Sequence, residues 1–181
     1  QLFTYPIPIL TPDGSCSLGD ELEEKPYNIA VLFGDGTRMG VRLWGLRQII
    51  ISIQKVIGAD WFGIYQKTKK SGGEEILVKL AYQGAPSRAE FPLTEEFAKN
   101  SNNSTVGITG RAILIQNVAA HAGPYYKCDS RVQSEFCCPI MTAAGDVIGI
   151  VDAESFAPDF FTSEKELQIV KICMDLGLKF I

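Results

Sequence analysis

Apolar positions along this chain fall into two rhythms. Between residues 40 and 58, Leu43, Leu46, Ile50, Ile53 and Ile57 recur three or four apart, with Arg42, Arg47, Gln48 and Gln54 between them. That spacing predicts one amphipathic helix, with Gly58 as its stop. A second helix is predicted over 163–180: Ser163 and Glu166 have capping-box spacing, and Ile169, Cys173, Leu176 and Phe180 form its apolar stripe. Between the helices the rhythm shortens. WFGIYQK (61–67) and EILVKLAYQ (75–83) flank the turn KKSGGE, and SEFCCPIM (134–141) and DVIGIVDAE (146–154) flank TAAGD. Both pairs read as hairpins.

The connecting segments are less regular. Residues 84–104 are polar, with a short helix expected at TEEFAKN. TVGITGRAILIQ (105–116) reads as a helix entered through glycine, QNVA (116–119) as a short strand and 121–132 as a loop. The first 39 residues hold Pro6, Pro8, Pro12 and Pro26 and the turn sequences LTPDGS and FGDGT; they read as an arm of short strands and turns. No βαβ alternation is present, so the expectation is an α+β domain over 40–181. Its central antiparallel sheet carries both helices on one face and a pocket on the other, capped by the 84–132 region.

Composition narrows the classes. A chain of 181 residues that is 46% apolar can bury one core. Its net charge of −4 comes from interspersed charges without a basic stripe, which argues against nucleic acid. No apolar run approaches the roughly 20 residues that span a bilayer, so no membrane partner is expected. QLFTYPIPIL lacks the basic start and apolar core of a signal peptide. Five cysteines, an odd number without framework spacing, fit a reducing cytoplasmic setting. Two overlapping glycosylation sequons, at Asn102 and Asn103, read as a polar loop. His121 is the sole histidine and the adjacent Cys137 and Cys138 lack zinc-site spacing, so neither a metal nor a cofactor is expected.

Candidate chemistry concentrates between residues 125 and 154. Cys128 lies seven residues before Glu135, and the last predicted strand ends in Asp152 and Glu154. Alternation along a strand puts Glu135 and Cys137 on one face, Asp152 and Glu154 on one face, and Trp61 and Tyr65 on one face. If those faces converge, they make a pocket with two aromatic walls, several carboxylates and a thiol. The alternative is ordinary: the aromatics belong to the sheet core and the carboxylates to an exposed strand end. Cys138 and Cys173 read as core thiols.

These residues resemble a family. The element order from about residue 40 onward is similar to the GAF fold, and within it to the free methionine-(R)-sulfoxide reductases. Asp60–Tyr65 (DWFGIY) resembles that family's Asn-Trp-x-Gly-Phe-Tyr strand. CDSRVQSEFCCPI resembles its Cys-Asp followed by Ser-Glu-Ile-Val-Val-Pro, and GIVDAES its Gly-Val-Leu-Asp-Ile-Asp-Ser. The resemblance implies that Cys128 is the nucleophile and that Trp61, Tyr65, Glu135, Asp152 and Glu154 bind substrate. Glu154 replaces the family's aspartate. Two further cysteines of the family are absent: Arg88 stands near one position and Thr109 at the other. Their loss leaves Cys137, on the face of Glu135, as the internal candidate to resolve an oxidised Cys128.

Two functions therefore stand side by side. One is a reductase of free L-methionine-(R)-sulfoxide with a single catalytic cysteine and an external thiol as reductant. The other is a non-catalytic GAF sensor of an amino acid or a similar small molecule. The expected partners are a small-molecule ligand, an external thiol and a second copy of the chain in a homodimer.

Overall fold

A computed structural model describes residues 2–10, 21–123, 125 and 129–179. At its centre is a six-stranded antiparallel sheet, made of β3 (Trp61–Lys69), β4 (Glu75–Gln83), β5 (Glu90–Pro92), β6 (Ile113–Ile115), β7 (Ser134–Met141) and β8 (Val147–Ser155), in the order β5-β4-β3-β8-β7-β6. The two predicted hairpins, β3–β4 and β7–β8, are joined side by side through β3 and β8.

One face of the sheet is covered by both long helices. Helix α2 (Thr37–Ile57) packs on β3 and β4, and α5 (Ser163–Lys179) on β7 and β8. The stripe of α2 is buried as its spacing requires, and Gly58 ends the helix in the left-handed region at φ 72°. Leu43, Leu46, Ile50, Ile169, Cys173 and Leu176 share one core with Phe62, Ile64, Val78, Phe136, Cys138, Val151 and Ala153 from the sheet. Truncating a side chain such as Leu46, fully buried there, costs about 2–5 kcal/mol. Helix α5 is capped one residue earlier than its sequence suggests: Thr162 Oγ1 accepts from Lys165 N and Thr162 O from Glu166 N. Phe180 lies outside the described residues.

The segment 101–120 differs from its sequence reading. A helix, α4, occupies Asn102–Thr109 rather than 105–116. Ser101 caps it by accepting from Ser104 N, and Gly110 closes it at φ 68°. Ile113–Ile115 then pairs with β7 as β6, and Val118–Ala120 forms a 3-10 turn where a strand was expected. The caps decide the boundaries here, because the short apolar run after Gly110 is needed as an edge strand. The NNST stretch is thus helical, and Asn103 is buried. The short helix expected at TEEFAKN is α3 (Glu95–Ala98), capped by Thr94.

In the N-terminal arm, β1 (Thr4–Tyr5) pairs with β2 (Tyr27–Asn28), and a single helical turn, α1 (Ala30–Phe33), leads towards α2. Tyr5 anchors the arm. Its ring stacks on Tyr27, and its hydroxyl donates to Lys79 O at 2.8 Å. Among the described residues, no helix is long and apolar enough to cross a membrane.

Candidate functional site

Register across the central strands assembles the site. Trp61 pairs with Glu154, and Glu154 with Glu135. One step along, Gly63 pairs with Asp152, and Asp152 with Cys137. Partners opposite one another in a pleated sheet share a face, so these two rows point away from the helices. Trp61, Tyr65, Glu135, Asp152 and Glu154 line one cavity there. Gly63 is required in the second row, because a Cβ on it would overlap the Trp61 indole. The indole lies 6.3 Å from the Tyr65 ring and 6.2 Å from Tyr82, and its Nε1 donates to Ala85 O.

Helix α4 roofs the cavity. Gly107 lets it come close, since a Cβ there would meet Leu93 and Leu77 within 3 Å. Its first turn delivers two amides: Asn102 Nδ2 donates to Glu135 Oε1 and Asn103 Nδ2 to Asp152 Oδ2, both at 3.0 Å. Asp152 Oδ1 and Asn103 Oδ1 are buried and have no hydrogen-bond partner among the described residues. Two acceptors without donors in one buried place are costly, at about 1–3 kcal/mol each, and they suit a ligand carrying several N–H groups.

Electrostatics point the same way. Burial, and secondly the Glu135 charge, raise Asp152 well above the usual carboxylate range, against the pull of Asn103, the Ala153 backbone and Lys79. Burial also raises Glu135, opposed by hydrogen bonds from Tyr125 and Asn102. Tyr125, itself mostly enclosed, is raised by burial and by the carboxylates around it. Cys137 is fully buried beneath this cluster. Burial and then Asp152 push its thiol up, which disfavours the thiolate that a resolving cysteine needs.

Cys128, the candidate nucleophile, lies outside the described residues. Of the two positions where the resemblance leads one to expect cysteines, Arg88 stacks on Phe97 with its guanidinium carbon 4.7 Å from the ring centre. Thr109 Oγ1 donates to Thr105 O at the exposed end of α4. Neither position offers a thiol.

Several residues of the site escape the sequence reading. Asn102 and Asn103 sit in a stretch read as polar loop, although Ser101 before them is a good N-cap. Tyr125 falls within the segment singled out but carries no strand periodicity. Lys79 had a signal in being a lone cation inside the apolar run ILVKLAY. Its ammonium donates to Ser87 O and Oγ at 2.7 and 2.8 Å and lies 4.1 Å from the Tyr82 ring centre and 5.0 Å from that of Tyr5. Ser87 also lines the cavity, so the arm reaches the site rim through Tyr5 and Lys79.

The cavity is tight: the space in which the centre of a water molecule can sit is about 20 Å3. That holds roughly one water-sized group.

Comparison with solved structures agrees with this architecture. The type II free methionine-R-sulfoxide reductase of Thermoplasma acidophilum superposes with a TM-score of 0.66 at 19% identity, over 77% of this chain and 92% of that chain. The free methionine-R-sulfoxide reductase of Neisseria meningitidis, solved in complex with its substrate, gives 0.63 at 22% identity over 77% of each. A GAF domain from an Acinetobacter phosphoenolpyruvate-protein phosphotransferase gives 0.58 at 16% identity, over 75% of this chain and 79% of that one. At these identities the likeness is one of fold. No curated protein matches the chain. The GAF domain family matches residues 46–176, well over half of the length, and the chain belongs to that family.

Proposed function

We propose that the cavity binds a free α-amino acid through its ammonium group, that methionine sulfoxide is the ligand, and that Cys128 reduces it with an external thiol. One observation carries the first step: the unpartnered Oδ1 atoms of Asp152 and Asn103, buried beside Glu135. An ammonium brings three donors and a positive charge to that spot. Trp61 and Tyr65 supply the apolar and aromatic surface that a methylsulfinyl chain needs. The cavity must widen to admit the ligand, because its present volume is smaller than an amino acid.

The chemistry follows from the resemblance of Cys128 to a nucleophile. Its thiolate attacks the sulfoxide sulfur while a carboxyl group protonates the oxygen. The thioether leaves and the cysteine becomes a sulfenic acid. Of the two carboxyls that burial raises, Asp152 ionises against the ammonium and Glu135 retains a proton for this step. An external thiol condenses with the sulfenic acid, releasing water, and a second thiol frees Cys128 as a disulfide of the reductant departs. Buried Cys137 is a poor internal substitute for that thiol.

A second reading has its own support. With Arg88 and Thr109 where the resemblance leads one to expect cysteines, the same pocket would serve a sensor that binds without turnover. Calorimetry with L-methionine sulfoxide and its des-amino analogue tests the shared step. The free amino acid should bind at least tenfold more tightly. Equal affinity for both would remove the ammonium site and, with it, both readings.

A further inference from the structure

On the face opposite the cavity, two thiols from different elements meet. Cys138 of β7 and Cys173 of α5 are 4% and 3% exposed within the helix-side core. The Cys173 thiol donates to Cys138 O at 3.8 Å. Helix and strand approach closely here because Gly177, one turn beyond Cys173, has no side chain; a Cβ on it would overlap Met141 O. Although shielded from bulk water, both cysteines line a cleft of about 420 Å3 between α5 and the end of β7, together with Met141, Met174 and Gly110. The cleft brings a small molecule up to both residues, and a small outward movement of α5 would bring it to the sulfurs.

We propose that Cys138 and Cys173 form a thiol–disulfide pair that exchanges with low-molecular-weight disulfides such as glutathione disulfide, with Cys138 as the attacking thiol. The Cys138 thiolate attacks one sulfur of the disulfide, breaks its S–S bond and releases one equivalent of glutathione. Cys173 then loses its proton, attacks the Cys138 sulfur of the mixed disulfide and releases the second equivalent. Two protein thiols are oxidised and one disulfide is reduced, with no other reactant. The order follows from the contact itself, in which Cys173 holds its proton against Cys138 O, and from the electrostatic interaction of the two thiols. Their interaction lowers Cys138 against the opposing effect of burial, and it raises Cys173 together with burial. The sulfur with more thiolate character attacks first.

The pair is independent of the activity proposed for the cavity, yet it is mechanically linked to it. Cys138 adjoins Cys137 on the strand that carries Glu135 into the cavity. A bridge to α5 would fix that strand against the helix layer.

Native protein incubated with glutathione disulfide, acid-quenched, alkylated and digested with trypsin provides the test. A cross-linked pair of peptides is expected, spanning residues 132–165 and 172–179, with fragment ions that place the bridge on Cys138 rather than Cys137. Dithiothreitol should reverse it. In Cys173→Ala, Cys138 should be trapped as a glutathione mixed disulfide, while in Cys138→Ala, Cys173 should stay unmodified under the same conditions. The wild-type experiment stands alone if a variant does not fold. Alkylation of both thiols only after denaturation, without cross-link or glutathione adduct, would overturn the proposal, as would a bridge from either thiol to Cys137 or Cys128.

Discussion

Asn103 holds Asp152 by a single hydrogen bond of 3.0 Å, and each side chain keeps a buried oxygen without a partner among the described residues. In the proposed reading the pair is half of a binding site: α4 supplies one acceptor and β8 the other, and both residues line the same cavity. Such an arrangement destabilises the empty protein. In the proposed reading it becomes favourable when a donor-rich cation arrives.

Asp152→Asn should separate stability from binding. It removes a carboxylate whose charge burial disfavours, while an amide at that position still accepts from Asn103. The variant is expected to melt a few degrees higher at neutral pH, roughly 2–4 °C per kcal/mol for a domain of this size. Its affinity for the amino acid should fall by about 100-fold or more, the loss of a charge-assisted contact. Differential scanning calorimetry with and without ligand reads both effects. A variant that is less stable and binds normally would show that Asp152 is structural.

The pH dependence follows from the raised carboxyl groups. Asp152 and Glu135 hold their protons to higher pH in the folded than in the unfolded chain. Their contribution to the stability of the ligand-free protein is therefore fully present below the unfolded pKa of about 4. It is lost as pH rises through the folded values. Ligand affinity should run the opposite way, rising as Asp152 ionises and levelling off above its folded pKa. Urea titrations and calorimetry between pH 4 and 8 should show opposite slopes. Parallel slopes would mean that the ammonium does not meet this carboxylate.

Gly63 should be specific for the aromatic wall. Gly63→Ala puts a methyl group against the Trp61 indole, which must swing towards the cavity or towards Tyr82. Affinity for methionine sulfoxide is expected to drop about tenfold, with a changed emission from Trp61. Since Trp44 is exposed on α2, the fluorescence is best read in a Trp44→Phe background. Unchanged emission and affinity would place the ligand away from Trp61.

Much of this molecule is legible in its sequence wherever a long periodic pattern exists. The stripe from Leu43 to Ile57 specifies which side of the helix is buried, the alternation around Glu135 and Asp152 specifies which residues share a sheet face, and register then brings Trp61, Glu154 and Glu135 into one row. Legibility fails where the chain changes direction within a few residues. Helix α4 has only two turns, its boundaries depend on the Ser101 cap and the Gly110 stop, and its contribution to the site is two amides that look like loop residues. Lys79 is not legible as a site residue because its burial depends on Tyr5, contributed by an arm with no pattern of its own. The cap of α5 shifts from Ser163 to Thr162 because adjacent hydroxyl residues compete for the same role.

In the proposed reaction this GAF domain takes a free amino acid by its ammonium group and reduces its sulfoxide at Cys128. The most direct measurement is product formation from L-methionine-(R)-sulfoxide with dithiothreitol as reductant. It is run beside the N-acetylated substrate, which lacks the ammonium, and beside Cys128→Ser. Turnover of the free substrate is predicted, with at least a hundredfold loss on acetylation and complete loss in the variant. Binding of the free substrate without turnover would leave a sensor in place of an enzyme. Equal turnover of both substrates, or an active Cys128→Ser protein, would contradict the account.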